Sequence, residues 1–317
     1  MKNLQLPLFI FSLVIFFFSS CKEEPPYINY TPPQSVYDST YLTITIPSAQ
    51  LKEVLIEDAS GASCGNCPAA AQVAVGVVAS NPTRTINVAT IYPNLPFGGL
   101  TSPVNKPNAL SKFDFRTDIG TDIVNYVTVP PSLPSGYIDR NKITGNADWY
   151  IPYTSWSSVV STELLITTPV NIDLESHYNS SDNKLTVALT ITYTQADSGN
   201  NFINVMILQD SIIDAQENKD GSGTFIYDSA YTHNHTLMDM LTAHTGDLLN
   251  RTGVADRTLI PGRVFKIGYE KTLGMRNNSP STYPQPPWNP KHLSILAFVT
   301  RDLPTKYVLQ SKKVEVQ

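Results

Sequence analysis

The sequence predicts an α/β domain followed by an all-β domain, both placed behind an export signal. Three observations lead to this prediction. An apolar run at residues 6–18 ends shortly before Cys21, a strand–helix–strand pattern surrounds a Cys-Gly-Asn-Cys motif at residues 64–67, and alternating apolar residues fill residues 168–317. The chain has 317 residues, enough for two cores at roughly 150 residues per domain. Its 22 basic and 27 acidic side chains give a net charge of −5, so a nucleic-acid partner is not expected.

Residues 1–20 are predicted to be a lipoprotein signal peptide. Lys2 precedes the apolar run, which is shorter than the stretch of about 20 residues that a membrane span needs. Residues 18–21 read Phe-Ser-Ser-Cys and resemble a bacterial lipobox. We therefore expect cleavage before Cys21 and a lipid on that cysteine. An ordinary secretory signal that happens to carry a cysteine is the alternative.

Residues 21–50 are predicted to form the lipidated cysteine, a Pro-rich tether and a lead-in strand. Prolines at positions 25, 26, 32 and 33 disfavour helix and favour an extended chain. The run Lys22-Glu23-Glu24 resembles the short charged signal that directs some bacterial lipoproteins to the outer cell surface, and a solvated charge cluster is the alternative. We expect an outer-membrane protein that faces the cell exterior, with the membrane as its partner through Cys21.

Cys64 and Cys67 are the cysteines that remain once Cys21 carries lipid. Their spacing rarely arises by chance, and the compartment outside the inner membrane is oxidising, so we expect them to form a disulfide. A structural staple is the simpler interpretation of this pair. However, a ring of four residues removes only about 2 kcal/mol of unfolded-chain entropy, so a bond meant for stability would close a longer loop.

The residues around the two cysteines predict a β-α-β unit. Residues 53–57 predict a strand, residues 68–78 an apolar helix and residues 85–91 the next strand. The cysteines then lie at the N-terminus of the helix, where the helix dipole lowers the pKa of a thiol. We expect Cys64 to face solvent as the attacking thiolate and Cys67 to resolve a mixed disulfide.

The cysteine segment resembles the thioredoxin-like segment of the outer-membrane-protein-28-related lipoprotein family. The resemblance is carried by the run Glu57-Asp58-Ala59-Ser60-Gly61-Ala62-Ser63-Cys64-Gly65-Asn66-Cys67-Pro68. Thioredoxins usually place a Pro between the cysteines and a Trp before them, where this chain has Asn66 and Ser63. The resemblance implies a thioredoxin-like domain over residues 51–167.

A thioredoxin-like site implies two further residues. A buried acid assists the second cysteine, and Asp58 stands six residues before Cys64 on the strand face that alternation predicts to be buried. A cis proline faces the disulfide, and Pro134 is the best of three candidates because a short strand follows it at residues 136–139. A surface acid and plain turn prolines are the alternatives. The Pro-, Asn- and Gly-rich insertion at residues 94–125 is expected to cover one side of the site.

Residues 168–317 predict an antiparallel β-sandwich of immunoglobulin-like kind. Six alternating runs are separated by turns rich in Ser, Asp, Asn and Gly. The family resemblance continues through residues 231–237 and the closing strands around residues 297–299. It therefore covers most of the chain that remains after cleavage.

Three histidines of this second half are candidate metal ligands. His233 and His235 share a face if their segment is extended, and His244 is near in sequence. No acidic or cysteine partner stands at a recognised spacing, so we expect a polar loop and no metal or other cofactor.

Two functions remain open from the sequence. The first is a surface binding or adhesion module that uses a thioredoxin-like scaffold and keeps an inert disulfide. The alternative is a thiol–disulfide oxidoreductase that acts on a protein or peptide client. In that alternative Cys64 attacks, Cys67 resolves, Asp58 assists Cys67 and Pro134 shapes the peptide-binding edge.

The lipobox-like residues lead to a prediction about anchoring. Because the lipid would be attached through Cys21, we expect Cys21→Ala to leave the protein without lipid and to move it from membrane to soluble fractions. Fractionation of cells that express the two proteins measures this shift. A Cys21→Ala protein that still sediments with membranes would contradict the lipoprotein prediction.

Overall fold

The computed structural model describes residues 35–143, 147–252 and 256–317. The predicted signal peptide, Cys21 and the predicted tether up to residue 34 lie outside these residues. Within the described ranges the helices are α1 (Cys67–Ala79), α2 (Asp118–Val127) and α3 (Trp156–Glu163). Not one of these described helices has the length and apolar character that crossing a bilayer requires.

Most of the regular structure is β-sheet. In chain order, the strands are β1 (Tyr37–Leu42), β2 (Val54–Ala59), β3 (Ile86–Ile91), β4 (Asn105–Lys106), β5 (Ala109–Leu110), β6 (Ser135–Ile138), β7 (Val170–Asn179), β8 (Lys184–Tyr193), β9 (Asn201–Gln209), β10 (Ile212–Lys219), β11 (Phe225–His233), β12 (Thr236–Met240), β13 (Asp247–Leu248), β14 (Arg263–Thr272), β15 (Leu293–Arg301) and β16 (Val308–Glu315).

β2, α1 and β3 form the predicted β-α-β unit around the cysteines. β2 and β3 are parallel neighbours, with Val54 opposite Ile86 and Ala59 opposite Ile91. All residues of β2 are buried, as expected for a strand that is covered on both faces. Pro68 lies in the first turn of α1, where a backbone N–H has no partner within the helix.

Helices cover both faces of this part of the sheet. Val54 and Ile56 point to the face on which α1 and α3 pack, and Trp156 of α3 belongs to the same core cluster. Leu55 points to the opposite face, where it packs with Ile123 of α2. Because successive strand residues point to opposite faces, β2 supplies both layers of the core.

The largest sheet joins the two halves of the chain. Its strand order is β16-β15-β9-β12-β3-β2-β6, and β13 also pairs with β9. β12 lies parallel to β3 with Thr236 opposite Thr90, and the Thr90 N–H donates to the His235 carbonyl at 2.7 Å. The division predicted between residues 51–167 and 168–317 therefore separates two chain segments whose strands hydrogen-bond in one sheet.

A second large sheet makes the C-terminal segment a sandwich. It is antiparallel, with the order β1-β14-β8-β7. Its side chains Leu189 and Phe265 share a buried core with Ile207 and Ile295 of the larger sheet. The predicted antiparallel sandwich is present in this form, and one of its sheets continues into the β-α-β unit.

Buried ion pairs connect β2, β6 and the last strand. Arg140 donates to both carboxylate oxygens of Glu57, at 2.7 and 2.8 Å, and the two side chains are almost completely buried. The Lys52 Nζ lies 3.2 Å from the Asp139 Oδ2 and donates to the Val308 carbonyl at 2.7 Å. Burial raises the pKa of Asp139 to about 7, and the positive charge of Lys52 opposes that rise.

The Arg140–Glu57 pair leads to a prediction about stability. Arg140→Met would leave the Glu57 carboxylate buried without a partner, so we expect a loss of about 3–5 kcal/mol in the free energy of unfolding. Lys184→Met is the matched control because it breaks the exposed pair with Glu270, which contributes about 0–1 kcal/mol. Denaturant unfolding measures both losses, and equal effects of the two substitutions would contradict the prediction.

Candidate functional site

The two cysteines close a disulfide in the turn between β2 and α1. Asn66 is the N-cap and Cys67 is the first residue of α1. The turn is held by its own backbone, since the Cys64 N–H donates to the Gly61 carbonyl and the Cys67 N–H to the Cys64 carbonyl. The predicted bond and its position at the helix N-terminus are confirmed.

Both cysteines are buried. Cys64 is 1% exposed and Cys67 is 2% exposed, so the expectation that Cys64 faces solvent is wrong. The hairpin of β10 and β11 provides the cover. The Gln216 Nε2 donates to the carbonyls of Gly61 at 3.0 Å and Cys64 at 3.2 Å. A position at a helix terminus is a local feature, and it does not determine which distant residues pack over the turn.

The same hairpin makes two more contacts with the cysteine turn. The Glu217 N–H donates to the Ala62 carbonyl at 2.8 Å. The Phe225 ring lies so close to Gly65 that a Cβ at this glycine would be 2.6 Å from a ring carbon. The hairpin thus approaches the motif with backbone, side-chain amide and aromatic groups.

The insertion after β3 covers another side of the motif, as predicted. The Ser63 N–H donates to the Leu100 carbonyl at 3.0 Å. The same carbonyl leaves no room for a side chain at Gly61. The C-terminal part of the predicted insertion at residues 94–125 belongs to α2, which is buried against the sheet rather than over the disulfide.

Asp58 lies on the α1 face of β2. The predicted burial is confirmed, since this residue is 2% exposed and its Oδ1 has no hydrogen-bond partner. Burial raises the pKa of Asp58 to about 7, because removal from water disfavours the charged carboxylate. Asp58 and Cys67 line one cavity of about 320 Å³, and Cys64 does not line it. The assistance of Asp58 to Cys67 stays a prediction.

Histidine and tyrosine side chains form the opposite wall of this cavity. His233 is buried, and its Nδ1 lies 2.9 Å from the Tyr92 hydroxyl. Burial lowers the pKa of His233 to about 3, so the ring is neutral near pH 7. The His235 Nδ1 lies 3.0 Å from the Asp210 Oδ1, and Tyr231 completes the wall. The described residues contain no cluster of three metal-ligating side chains.

Pro134 directly precedes β6, the antiparallel neighbour of β2. The peptide bond between Leu133 and Pro134 is cis. Gly136 lies opposite Asp58, and the Leu133 side chain belongs to the core cluster that contains both cysteines. Pro134 therefore belongs to the same region as the disulfide. Its role in a peptide-binding edge stays a prediction.

Sequence reasoning missed the residues that complete the site from the second half of the chain. Gln216 and Tyr231 belong to β10 and β11, and the alternating runs of the sequence predict no strand at either residue. The sequence marks His233 and His235 only as candidate metal ligands, not as walls of a cavity next to Cys67. His244 does not line the cavity, and its Nδ1 lies 4.0 Å from Asp122.

Comparison with known proteins identifies a family and similar solved structures. The family model described as "Outer membrane protein Omp28" matches residues 126–317, more than half of the chain, and begins after the cysteine motif. The solved structure of HBP35 of Porphyromonas gingivalis aligns over 85% of this chain and 77% of that chain, with a TM-score of 0.60 and 15% identity. At this identity the similarity concerns the fold alone. The Danio rerio Fcho1 mu homology domain with bound Eps15 peptide aligns over 85% of this chain and 96% of that chain, at 9% identity. Its TM-score of 0.13 indicates no similarity of fold. Among curated proteins there is no match.

The buried Asp58 leads to a prediction about pH. The carboxyl ionises near pH 3.8 in a free chain and near pH 7 in the fold, so stability is lost as the pH rises between these values. We expect Asp58→Asn to stabilise the protein above pH 7, by at most about 4 kcal/mol at about 1.4 kcal/mol per pKa unit. At pH 4 we expect Asp58→Asn to cause no stabilisation, because Asp58 is then protonated in the folded protein.

Denaturant unfolding of both proteins from pH 4 to pH 8 measures this difference. Asp173→Asn, at an exposed position of β7, is the control and should show no such dependence on pH. A stability difference between Asp58→Asn and the unchanged protein that is independent of pH would contradict the prediction.

Proposed function

Because the chain belongs to the Omp28 outer membrane protein family, we propose that it is a lipid-anchored binding module of the outer membrane. Its scaffold combines a thioredoxin-like unit with an immunoglobulin-like sandwich, and the lipid on Cys21 holds it with the folded part facing the cell exterior. The observation that supports a binding role over protein redox chemistry is the cover on the disulfide.

The cover separates both sulfurs from a protein client. Thiol–disulfide exchange requires a thiolate to reach a sulfur of the bond. Access to Cys64 would require the loss of the two Gln216 hydrogen bonds, the Glu217 backbone bond and the Phe225 contact. These contacts keep a protein client away from Cys64 and favour a protein that binds its partner elsewhere.

The hairpin that covers the disulfide also offers the binding surface. β10 and β11 form a two-stranded sheet, and among the described strands none pairs with the outer edge of β11. Phe225 is 53% exposed and Ile226 is 42% exposed, and most of the strand between Phe225 and Thr232 is open to solvent. An unpaired edge of this length, with apolar side chains, is a template for another strand.

The chemistry of this edge defines the partner. Main-chain groups of an exposed strand bind an extended polypeptide, and side-chain contacts add preference. Lys219 lies over the Phe225 ring and Lys106 faces the Tyr227 ring, so cationic groups flank the apolar surface. The partner is therefore an extended polypeptide segment with apolar residues.

Substitution on β11 tests this function. Peptides selected from a displayed library on the immobilised protein should bind in extended form, and Ile226→Lys should weaken them at least tenfold, which corresponds to about 1.4 kcal/mol. Leu165→Lys is the control, because Leu165 is 84% exposed and lies after α3. Selected peptides that bind equally well to the Ile226→Lys protein would contradict the use of this edge.

A thiol–disulfide oxidoreductase is the second candidate. The presence of Asp58 in the cavity lined by Cys67 supports it, because a buried carboxyl can accept a proton from a thiol. This function predicts that Cys67→Ser traps protein clients on Cys64, whereas Cys64→Ser traps few. The binding function predicts no trapped clients in either protein. Trapping by Cys67→Ser alone would therefore decide for the oxidoreductase.

A further inference from the structure

We propose that low-molecular-weight thiols exchange with this disulfide by entering the cavity on the Asp58 side and attacking Cys67, while the Cys64 side stays closed. This proposal does not rest on the proposed polypeptide binding near Phe225 and Ile226, although Tyr231 and His233 at the other end of β11 line the cavity. The proposal assigns small thiols as ligands of the cavity. It also makes Cys67 the first cysteine to react, whereas the sequence predicts Cys64.

The cavity supplies the access that the hairpin denies elsewhere. Its volume of about 320 Å³ suits a small molecule. Cys67 lines it and Cys64 does not. Two of its wall residues on α1 reach the surface, since Ala71 is partly exposed and Val75 is 59% exposed. A small solute can therefore approach between α1 and the β11–β12 turn.

The lining of the cavity favours a thiol that carries a positive charge. Asp58 contributes a carboxyl group to the wall of the cavity, and none of the described lining residues is a Lys or an Arg. Apolar contacts come from Ala71 and Val88. A small aminothiol can place its ammonium group near the carboxylate, whereas a small anionic thiol would be repelled by it.

The unpartnered Asp58 oxygen is suited to take the thiol proton. In the first step the Asp58 carboxylate accepts the proton of RSH, the RS⁻ sulfur bonds to the Cys67 sulfur, and the disulfide breaks. Its electron pair goes to Cys64, whose thiolate is stabilised at the N-terminus of α1 and is then protonated from Asp58.

A second thiol completes the exchange. Its thiolate attacks the RS sulfur bound to Cys67, and Cys67 leaves as a thiolate that takes the proton of that second thiol. The net change is oxidation of two RSH to RSSR and reduction of the protein disulfide to two thiols. Electrons and protons balance without another reactant.

Two small thiols of similar size but opposite charge provide the first test. Full-length oxidised protein in detergent is treated at pH 8 with cysteamine or with mercaptoethanesulfonate, and free protein thiols are counted over time. After correction for the reactivity of each thiol toward a small disulfide, cysteamine should react at least tenfold faster. Asp58→Asn should abolish most of this charge preference.

Single-cysteine proteins test the point of attack. Cystamine, the disulfide of cysteamine, should modify the free Cys67 of the Cys64→Ser protein at least tenfold faster than the free Cys64 of the Cys67→Ser protein. Mass spectrometry of quenched samples measures both rates. Equal rates, or faster reaction at Cys64, would overturn the proposal.

Cavity-filling substitutions test the route. Ala71→Phe should slow reduction by cysteamine at least tenfold, whereas Ala69→Phe, exposed on α1 outside the cavity, should not. If Ala71→Phe does not fold, Val75→Trp replaces it, with the exposed Val78→Trp as its control. Unchanged rates in the folded cavity variants would overturn the proposed route.

Discussion

The pairing of β12 with β3 is the interaction on which the site depends. Their contact is short, with Thr236 opposite Thr90 and one hydrogen bond from the Thr90 N–H to the His235 carbonyl. It makes one sheet of two chain segments that are far apart in sequence. Because β12 directly follows the β10–β11 hairpin, this pairing also fixes the hairpin next to the cysteine turn. The cover on Cys64 and the wall of the cavity both follow from it.

Neighbouring acids on β2 have opposite environments because the strand alternates. Glu57 points to one face, where Arg140 pairs with both of its oxygens. Asp58 points to the α1 face, where its Oδ1 has no partner and burial raises its pKa to about 7. The first acid therefore stabilises the junction with β6, whereas the second keeps a proton that can be exchanged near neutral pH. A single strand thus supplies both a buried ion pair and a buried carboxyl group with a raised pKa.

The disulfide has two unlike sides as a consequence of these arrangements. On the Cys64 side, Gln216 and Phe225 belong to the chain itself and occupy the surface that a client would use. On the Cys67 side, a cavity with a carboxyl group and mostly uncharged walls remains. A protein client would therefore approach the covered Cys64 side of the disulfide, whereas a small thiol would approach the Cys67 side through the cavity. The two proposed sites use different parts of β11, because the polypeptide edge is assigned around Phe225 and Ile226, whereas Tyr231 and His233 line the cavity.

The sequence by itself determined the local features: the disulfide of Cys64 and Cys67, its place at the start of α1, the burial of Asp58 and six strands of the sandwich. These depend on residues close in sequence, through strand alternation, helix-terminus signals and spacing. Only the tertiary structure decided that Gln216, 152 positions after Cys64, covers the motif and that one sheet crosses the predicted boundary. Strand patterns show which residues are buried, but pairing between distant strands is chosen by the packing of the whole chain.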